Sequence, residues 1–181
     1  MFDIVTRNRK ITHLIESVIK DHCRIYDTIS ESVDDGIVVH YNDEPLYYLG
    51  MEFNDRDFYI YFNGFVFSEL SKSELIKLRE IYKDDAVAEL LTTSNMELWF
   101  FEDKYLMAKQ VTTKEYKDYS ILQTAFAIEL FEQINNTVAI RNHLVSMLEE
   151  RERALINWGK TIKSLPKVDR LKISILTITL F

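Results

Sequence analysis

The chain has 181 residues, of which 47% are hydrophobic and 13% are aromatic, and its formal net charge is −7. That length suits one domain, or one domain with an extension, and the hydrophobic content excludes a mostly disordered chain. The charge is uneven, because residues 141–172 carry a net +4 and residues 1–140 carry −11. An acidic body argues against direct nucleic-acid binding, which needs clustered Lys and Arg.

The single cysteine, Cys23, excludes an internal disulfide and fits a reducing compartment. The sequence contains no signal peptide pattern and no apolar stretch of the ~18 residues that are needed to span a bilayer. We therefore expect a cytoplasmic protein that does not associate with membranes.

The first predicted helix covers residues 9–33 and carries a narrow apolar stripe with 3.5-residue spacing. This first seam consists of Ile11, Ile15, Val18, His22, Ile25 and Ile29. One helix typically presents such a stripe to another helix. His22 is polar, and a polar residue at one seam position can fix the register and the oligomeric state.

Residues 36–67 change to a period of two, which predicts an antiparallel meander. Within it, the dipeptide Asn63-Gly64 predicts a hairpin turn, because both residues tolerate positive φ. The strands are aromatic, but their neighbours are acidic. Packing in a core or an interface is therefore favoured over stacking on nucleic-acid bases.

Two capping boxes predict the starts of the later helices. Ser71-Lys72-Ser73-Glu74 opens a helix to about Thr92, and a second hairpin follows at 96–111. Thr112-Thr113-Lys114-Glu115 precedes a long helix, which is apolar on all sides from Ile121 to Ile134 and is therefore expected to be buried.

At Asn135-Asn136-Thr137 we expect a kink or a subdomain boundary, because an unbroken helix over 114–164 would be ~75 Å long, so that it either breaks or projects with its last part. The chain is then a 1–134 domain and a 135–181 extension, and whether the extension packs on the same domain stays open. The extension begins with a second seam at the same spacing. Arg151 is its polar residue, as His22 is in the first seam. This second seam consists of Leu144, Leu148, Arg151, Leu155, Trp158, Ile162 and Leu165.

After Pro166, alternation of apolar residues with threonine predicts a terminal strand. Its apolar members are Leu176, Ile178, Leu180 and Phe181. Because such a strand aggregates when it is unpaired, we expect it to pair with this sheet, to pair with another chain, or to lie in a groove.

The sequence contains no motif for catalysis, nucleotide binding or metal binding. The histidines lack the spacing of a zinc site, and the acidic pairs lack the pattern of a calcium loop. We predict no catalytic residue, no metal and no cofactor. An enzyme of unrecognised type stays open as an alternative, and it would require a pocket with convergent titratable residues.

The predicted order, α-β-β-β(-β)-α-β-β-α, defines an α+β fold in which helices pack an antiparallel meander. From Asp35 to about Ile134, this order and its hydrophobic pattern resemble the type III secretion chaperone fold and its YbjN-like relatives. The stretches that carry the resemblance include Pro45-Leu46-Tyr47-Tyr48-Leu49, Phe58-Tyr59-Ile60-Tyr61 and Leu98-Trp99-Phe100. The resemblance implies a non-enzymatic homodimer whose apolar grooves hold a partner's extended segment, partly by strand addition. Residues 135–181 depart from the family pattern.

The sequence thus predicts a protein-binding module without catalysis, in the form of a chaperone-like homodimer. The expected interface residues are His22, Arg151, Trp158, Leu176, Ile178, Leu180 and Phe181, with ordinary packing inside the chain as the alternative. A second hypothesis is a phage or mobile-element protein that inhibits a host protein through its acidic, nucleic-acid-mimicking body. The richness in Ile, Lys, Asn, Tyr and Phe is typical of an AT-rich bacterial or phage genome.

Overall fold

The computed structural model describes residues 2–33, 36–54, 58–111, 114–115 and 121–164, with the backbone alone at 2–3, 114–115 and 157–164. The chain divides into two compact units, Met1–His143 and Leu144–Phe181. The boundary expected after residue 134 stays a prediction. The predicted terminal strand, with Leu176, Ile178, Leu180 and Phe181, lies outside the described residues.

The first helix, α1, spans Phe2–Tyr26 and ends in a Schellman motif. Asp27 takes a positive φ of 52°, and the N–H of Thr28 donates to the C=O of Cys23 at 3.0 Å. The predicted continuation to residue 33 is wrong, because Ile29–Val33 forms a strand, β1. The left-handed residue stops the helix, and the residues after it pair with the next strand.

Among the described residues of the first unit, seven strands form one antiparallel sheet. After β1 they are β2 (Gly36–Tyr41), β3 (Glu44–Phe53), β4 (Phe58–Phe67), β5 (Met96–Phe101), β6 (Tyr105–Gln110) and β7 (Lys114–Glu115). The spatial order is β1-β2-β3-β4-β6-β5, and β7 pairs with β4. The predicted α+β class, with an antiparallel sheet and helices before, within and after it, is confirmed.

The predicted capping box at Ser71 opens α2 (Lys72–Ile81), in which Glu74 closes the box. The expected single helix is two helices, because α3 (Asp85–Thr93) starts anew at Asp84. The Asp84 carboxylate accepts the N–H of Ala86 at 2.9 Å and so caps the second helix.

The last helix, α4, spans Leu122–Ser164 without interruption. One prediction is therefore wrong, and one open alternative is decided. Lys114 and Glu115 form β7 against Tyr59 and Ile60 rather than a helical first turn. Residues 135–137 continue the helix, since the Thr137 hydroxyl donates to the Gln133 C=O at 2.9 Å and does not compete with the helical backbone.

The predicted turn at Asn63-Gly64 is wrong, because β4 runs through both residues. Gly64 lies against α4, and a Cβ at Gly64 would overlap the Thr137 side chain. The two-residue turn between β2 and β3 is formed instead by Asn42 and Asp43, which both take positive φ (50° and 65°).

One face of the sheet carries the core of the first unit. Tyr47, Leu49, Ile60 and Phe62 are buried there. From the helices, Ile11, Ile15, Ile19, Phe126 and Leu130 are also buried. Each such large apolar side chain contributes about 1.5–3 kcal/mol when it is fully buried.

Candidate functional site

The first seam is buried at its start and exposed at its end. Ile11, Ile15 and Val18 are buried, His22 is half-buried, and Ile25 is 69% exposed. The seam therefore packs within the chain over its first two turns. Its last turn presents apolar surface that the first unit does not cover.

His22 lies where the buried and exposed parts of α1 meet. Its ring is 4.7 Å from the Tyr26 ring and 5.7 Å, edge on, from the Tyr47 ring, measured between centroids. Burial lowers the pKa of His22 below its usual value of 6.5. A neutral imidazole on aromatic rings suits an apolar contact surface.

Tyr47 lies beneath His22 on β3 and is only 2% exposed. Its hydroxyl is buried and has no hydrogen-bond partner among the described residues. Burial raises the pKa of Tyr47 far above its usual range, and the half-buried Cys23 thiol nearby adds to this rise. The phenol is therefore neutral at any physiological pH.

A groove runs between the second half of α1 and the start of α4, with a volume of about 430 Å³. We call it the α1/α4 groove. Its walls include Asp21, His22, Ile25, Tyr26, Ala127 and Phe131. A smaller cavity of about 80 Å³ shares His22 with it and continues to Tyr47, Thr137 and Arg141.

The groove is bordered by exposed apolar side chains from both helices. Ile25 and Tyr26 are exposed on α1, and Phe131 is 53% exposed on α4. The expectation that the apolar stretch Ile121–Ile134 is buried on all sides is therefore wrong. The sheet covers only the α4 face that carries Phe126 and Leu130, which leaves the outer faces to solvent.

The second seam follows the same course as the first, from buried to exposed. Leu144 is buried, Leu148 is half-buried, Arg151 is exposed, and Leu155 is 58% exposed. For Trp158 the structure describes only the backbone, which is helical. The structure thus places His22 in the first unit and Arg151 in the second.

The α1/α4 groove has few groups with acid–base chemistry. Asp21 is ion-paired with Arg24 at 3.5 Å, and His22 is held by aromatic rings. Among the described residues, no three His, Cys, Asp or Glu side chains converge as a metal site would require. The arrangement offers apolar contact with one hydrogen-bonding imidazole, which suits binding.

Sequence reasoning missed the α4 wall of the groove, with Ala127 and Phe131. A signal for it exists, because a sheet covers one side of a helix and the stretch 121–134 is apolar on more than one side. An apolar surface beyond what one sheet covers marks a second contact.

Two further surfaces are open on the sheet. Trp99 and Phe101 are exposed on β5, with Lys109 Nζ 5.8 Å from the Trp99 ring centroid. The edge strand β1 is exposed at all five residues.

Comparison with known proteins gave no relative: no family model, no curated protein sequence and no solved structure matches the chain. The class of the protein is therefore defined by its own features, as an α+β protein with an apolar inter-helix groove. Among the described helices, none is both long enough and apolar enough to cross a membrane.

Proposed function

We propose that the protein is a protein-binding module without catalysis and that the α1/α4 groove is its binding surface. The observation that carries this proposal is the border of exposed apolar side chains that two helices place around one groove. Apolar patches of this kind, with a polar rim, are typical of protein contact sites. A chaperone-like homodimer is the form of this function that the sequence resemblance implies.

The occupant that fits best is an amphipathic helix. The groove walls are themselves helices. Their lining side chains recur every three or four residues, as in His22, Ile25 and Tyr26 on α1 and in Ala127 and Phe131 on α4. A helix laid between them would place its own apolar stripe against both walls, as in other helix-in-groove complexes. The −11 charge of residues 1–140 favours a partner helix with basic flanks.

The test compares three immobilised forms of the full chain in an extract of its native cells. They are the wild type, the double variant Ile25→Asp/Phe131→Asp, and Ile76→Asp, which changes an equally exposed apolar residue on α2. A charge inside an apolar contact weakens binding by about tenfold or more. We expect the wild type and Ile76→Asp to retain the same protein, identified by mass spectrometry, and the double variant to lose it.

Retention by all three forms, or by none, would contradict the groove as the binding surface. The inhibitor hypothesis predicts in addition that duplex DNA releases the retained protein. Release by DNA would favour nucleic-acid mimicry by the acidic body, and retention in the presence of DNA would favour the chaperone-like form.

A further inference from the structure

We propose that the face of the sheet opposite α1 and α4 binds the arginine side chains of a basic protein segment, at a site formed by Tyr48, Tyr61 and Glu52. This surface is separate from the α1/α4 groove. The inference therefore goes beyond the proposed function and does not depend on it.

The helices α1 and α4 contact one face of the sheet. Tyr47 lies against His22 of α1, and Phe62 lines a cavity together with Phe126 of α4. Successive residues of a strand alternate between the two faces, so the residues next to Tyr47 and Phe62 belong to the other face, which we call the open face. One cross-strand row of the open face consists of Val38 on β2, Tyr48 on β3, Asn63 on β4, Lys109 on β6 and Glu97 on β5.

At the β5–β6 end of the open face, the chain already holds a cation between a ring and a carboxylate. Lys109 Nζ lies 5.8 Å from the centroid of the Trp99 ring and 3.8 Å from a carboxylate oxygen of Glu97. An aromatic face and a carboxylate both attract a positive charge. This arrangement is the chemistry that we assign to the β2–β4 end of the same face.

At the β2–β4 end, a tyrosine ring lies over two glycines. Gly36 and Gly50 are cross-strand partners, and Tyr48 ring atoms lie 3.0 Å and 3.3 Å from the positions that a Cβ would take at Gly36 and Gly50. Because neither glycine has a side chain, the ring can lie low across both. The Tyr48 side chain is half-buried, as expected for a ring with one side on the backbone and the other side turned outwards.

A carboxylate lies next to this ring. Tyr61 is the cross-strand partner of Gly50, and its hydroxyl donates to the Glu52 carboxylate. Glu31, on the edge strand β1, belongs to the same face, because it pairs with Val38, which in turn pairs with Tyr48. Both Glu31 and Glu52 are exposed. Two tyrosines and two carboxylates thus share one part of the open face.

Charge complementarity selects a cationic occupant. The described residues of β1 to β4 carry four acidic side chains and no Lys or Arg, and the four are Glu31, Asp43, Glu44 and Glu52. The cation that completes the site at the β5–β6 end comes from Lys109, whereas these strands have no basic residue of their own to complete the second site. A cation from a partner is therefore the complement of this surface.

The flat ring favours arginine over lysine. A guanidinium group is planar and weakly hydrated, so it can stack on the Tyr48 ring while the N–H donors in its plane reach carboxylates at the side. A lysine ammonium is a strongly hydrated point charge. Asn63, the cross-strand partner of Tyr48, is only 8% exposed, and its side-chain oxygen has no hydrogen-bond donor among the described residues. An unmet acceptor at this place favours a ligand with several N–H donors.

The test titrates the full chain with N-acetylated hexa-arginine and hexa-lysine peptides of equal charge, by calorimetry at low ionic strength. Tyr48→Leu removes the ring, and Glu31→Gln/Glu52→Gln removes the two carboxylates. The matched control is Asp43→Asn/Glu44→Gln, which removes the same charge from two exposed residues at the β2–β3 turn. Cooperative thermal unfolding verifies that each variant is folded.

We expect the wild type to bind hexa-arginine about two- to fivefold more tightly than hexa-lysine, which is the usual effect of one exposed cation–π contact. Tyr48→Leu is expected to lose this preference. Glu31→Gln/Glu52→Gln is expected to lose more affinity for hexa-arginine than the control does.

Amide NMR signals of the wild type locate the peptide without any substitution. Hexa-arginine is expected to shift the signals of Gly36 and Gly50, which lie beneath Tyr48, and to leave that of Gly64, which faces α4, in place. This measurement decides even if Tyr48→Leu does not fold.

Four results would overturn the inference. They are no binding of hexa-arginine, equal affinity for the two peptides, equal losses in the carboxylate variant and its control, or unchanged signals of Gly36 and Gly50 in the saturated complex. Equal losses would show that the peptide is attracted by diffuse negative charge rather than bound at this site.

Discussion

At the scale of single residues, the smaller cavity beside the groove combines an apolar site with unsatisfied polarity. The Tyr47 hydroxyl is buried without a hydrogen-bond partner among the described residues, and the neighbouring His22 ring, whose pKa is lowered by burial, lies edge on to the Tyr47 ring. Both features lower the stability of the folded chain relative to a fully apolar site. Such a loss of folding free energy is usual at functional sites, where a residue is kept for binding a partner as well as for packing.

Tyr47→Phe is expected to raise the free energy of unfolding by about 1 kcal/mol, because it removes a buried hydroxyl that has no partner. The ring stack with Phe62, 5.5 Å between centroids, is kept. Urea denaturation measures the change. Tyr61→Phe is the control, since that hydroxyl donates to the Glu52 carboxylate and its loss removes a made hydrogen bond. A loss of stability in Tyr47→Phe that equals or exceeds the control's would show that the hydroxyl is satisfied.

His22 is expected to make stability depend on pH in mildly acidic solution. Burial lowers its pKa in the folded chain, so the unfolded chain binds the proton more readily. The stabilising effect of the neutral ring is complete above the unfolded pKa of 6.5 and is lost as the pH falls below it.

The measurement is denaturant unfolding from about pH 7.5 to about pH 5.5, a window that brackets the pKa of an unperturbed histidine. His22→Gln is expected to flatten the decline relative to the wild type, whereas His13→Gln, at an exposed position, is expected to leave it unchanged. Equal slopes for the wild type and His22→Gln would contradict the role of burial at His22.

At the scale of elements, local chemistry predicts some boundaries and misses others. The Ser71 capping box is where the sequence indicates it, and the alternating residues of β2 to β6 form the predicted sheet. The stop after Tyr26 depends on Asp27 in a left-handed conformation, which any of several residues could adopt. The first seam continues past that stop to Ile29, so periodicity alone extends the helix too far.

Asn63-Gly64 shows why a strong turn dipeptide can fail. Its glycine is required by a contact with α4 rather than by positive φ, since Gly64 is not among the positive-φ residues and a Cβ there would overlap Thr137. A contact between residues 73 positions apart in the chain leaves no trace in a local pattern. The turn chemistry is supplied by Asn42-Asp43 and Glu102-Asp103, where φ is positive.

Gly64→Ala is expected to lower the free energy of unfolding by about 1–3 kcal/mol, the usual cost of an overpacked core. Thr137→Ala in the same chain removes the two nearest overlapping atoms, Oγ1 and Cγ2, and is expected to restore most of the loss. Gly50→Ala is the control, because its nearest neighbours are atoms at the outer end of the Tyr48 ring, 3.2 Å or more away. Thermal unfolding of the wild type and these three variants measures the changes. No recovery in the double variant would contradict a helix–sheet contact at Gly64.

At the scale of the whole molecule, the sequence indicates the α+β class and the two seams, but not which parts of the seams are covered. Periodicity marks a stripe as apolar, whereas its burial depends on where the sheet ends beneath it. Ile15 and Ile25 belong to one stripe, yet one is buried and the other is 69% exposed. Likewise, Phe126 and Phe131 lie on one apolar helix with opposite exposure. The groove between α1 and α4 follows from these differences and could not be read from either helix alone.

The most direct test of the proposed function is site-specific photo-cross-linking in the cells that make this protein. The photoreactive analogue p-benzoylphenylalanine replaces Phe131 in the groove or, as the control, the exposed Phe101 on β5. Both replacements keep an aromatic side chain at the surface. We predict that irradiation yields a defined protein adduct from position 131, either with a second copy or with another protein, and none from position 101. No adduct from position 131, or the same adducts from both positions, would contradict protein binding by the α1/α4 groove.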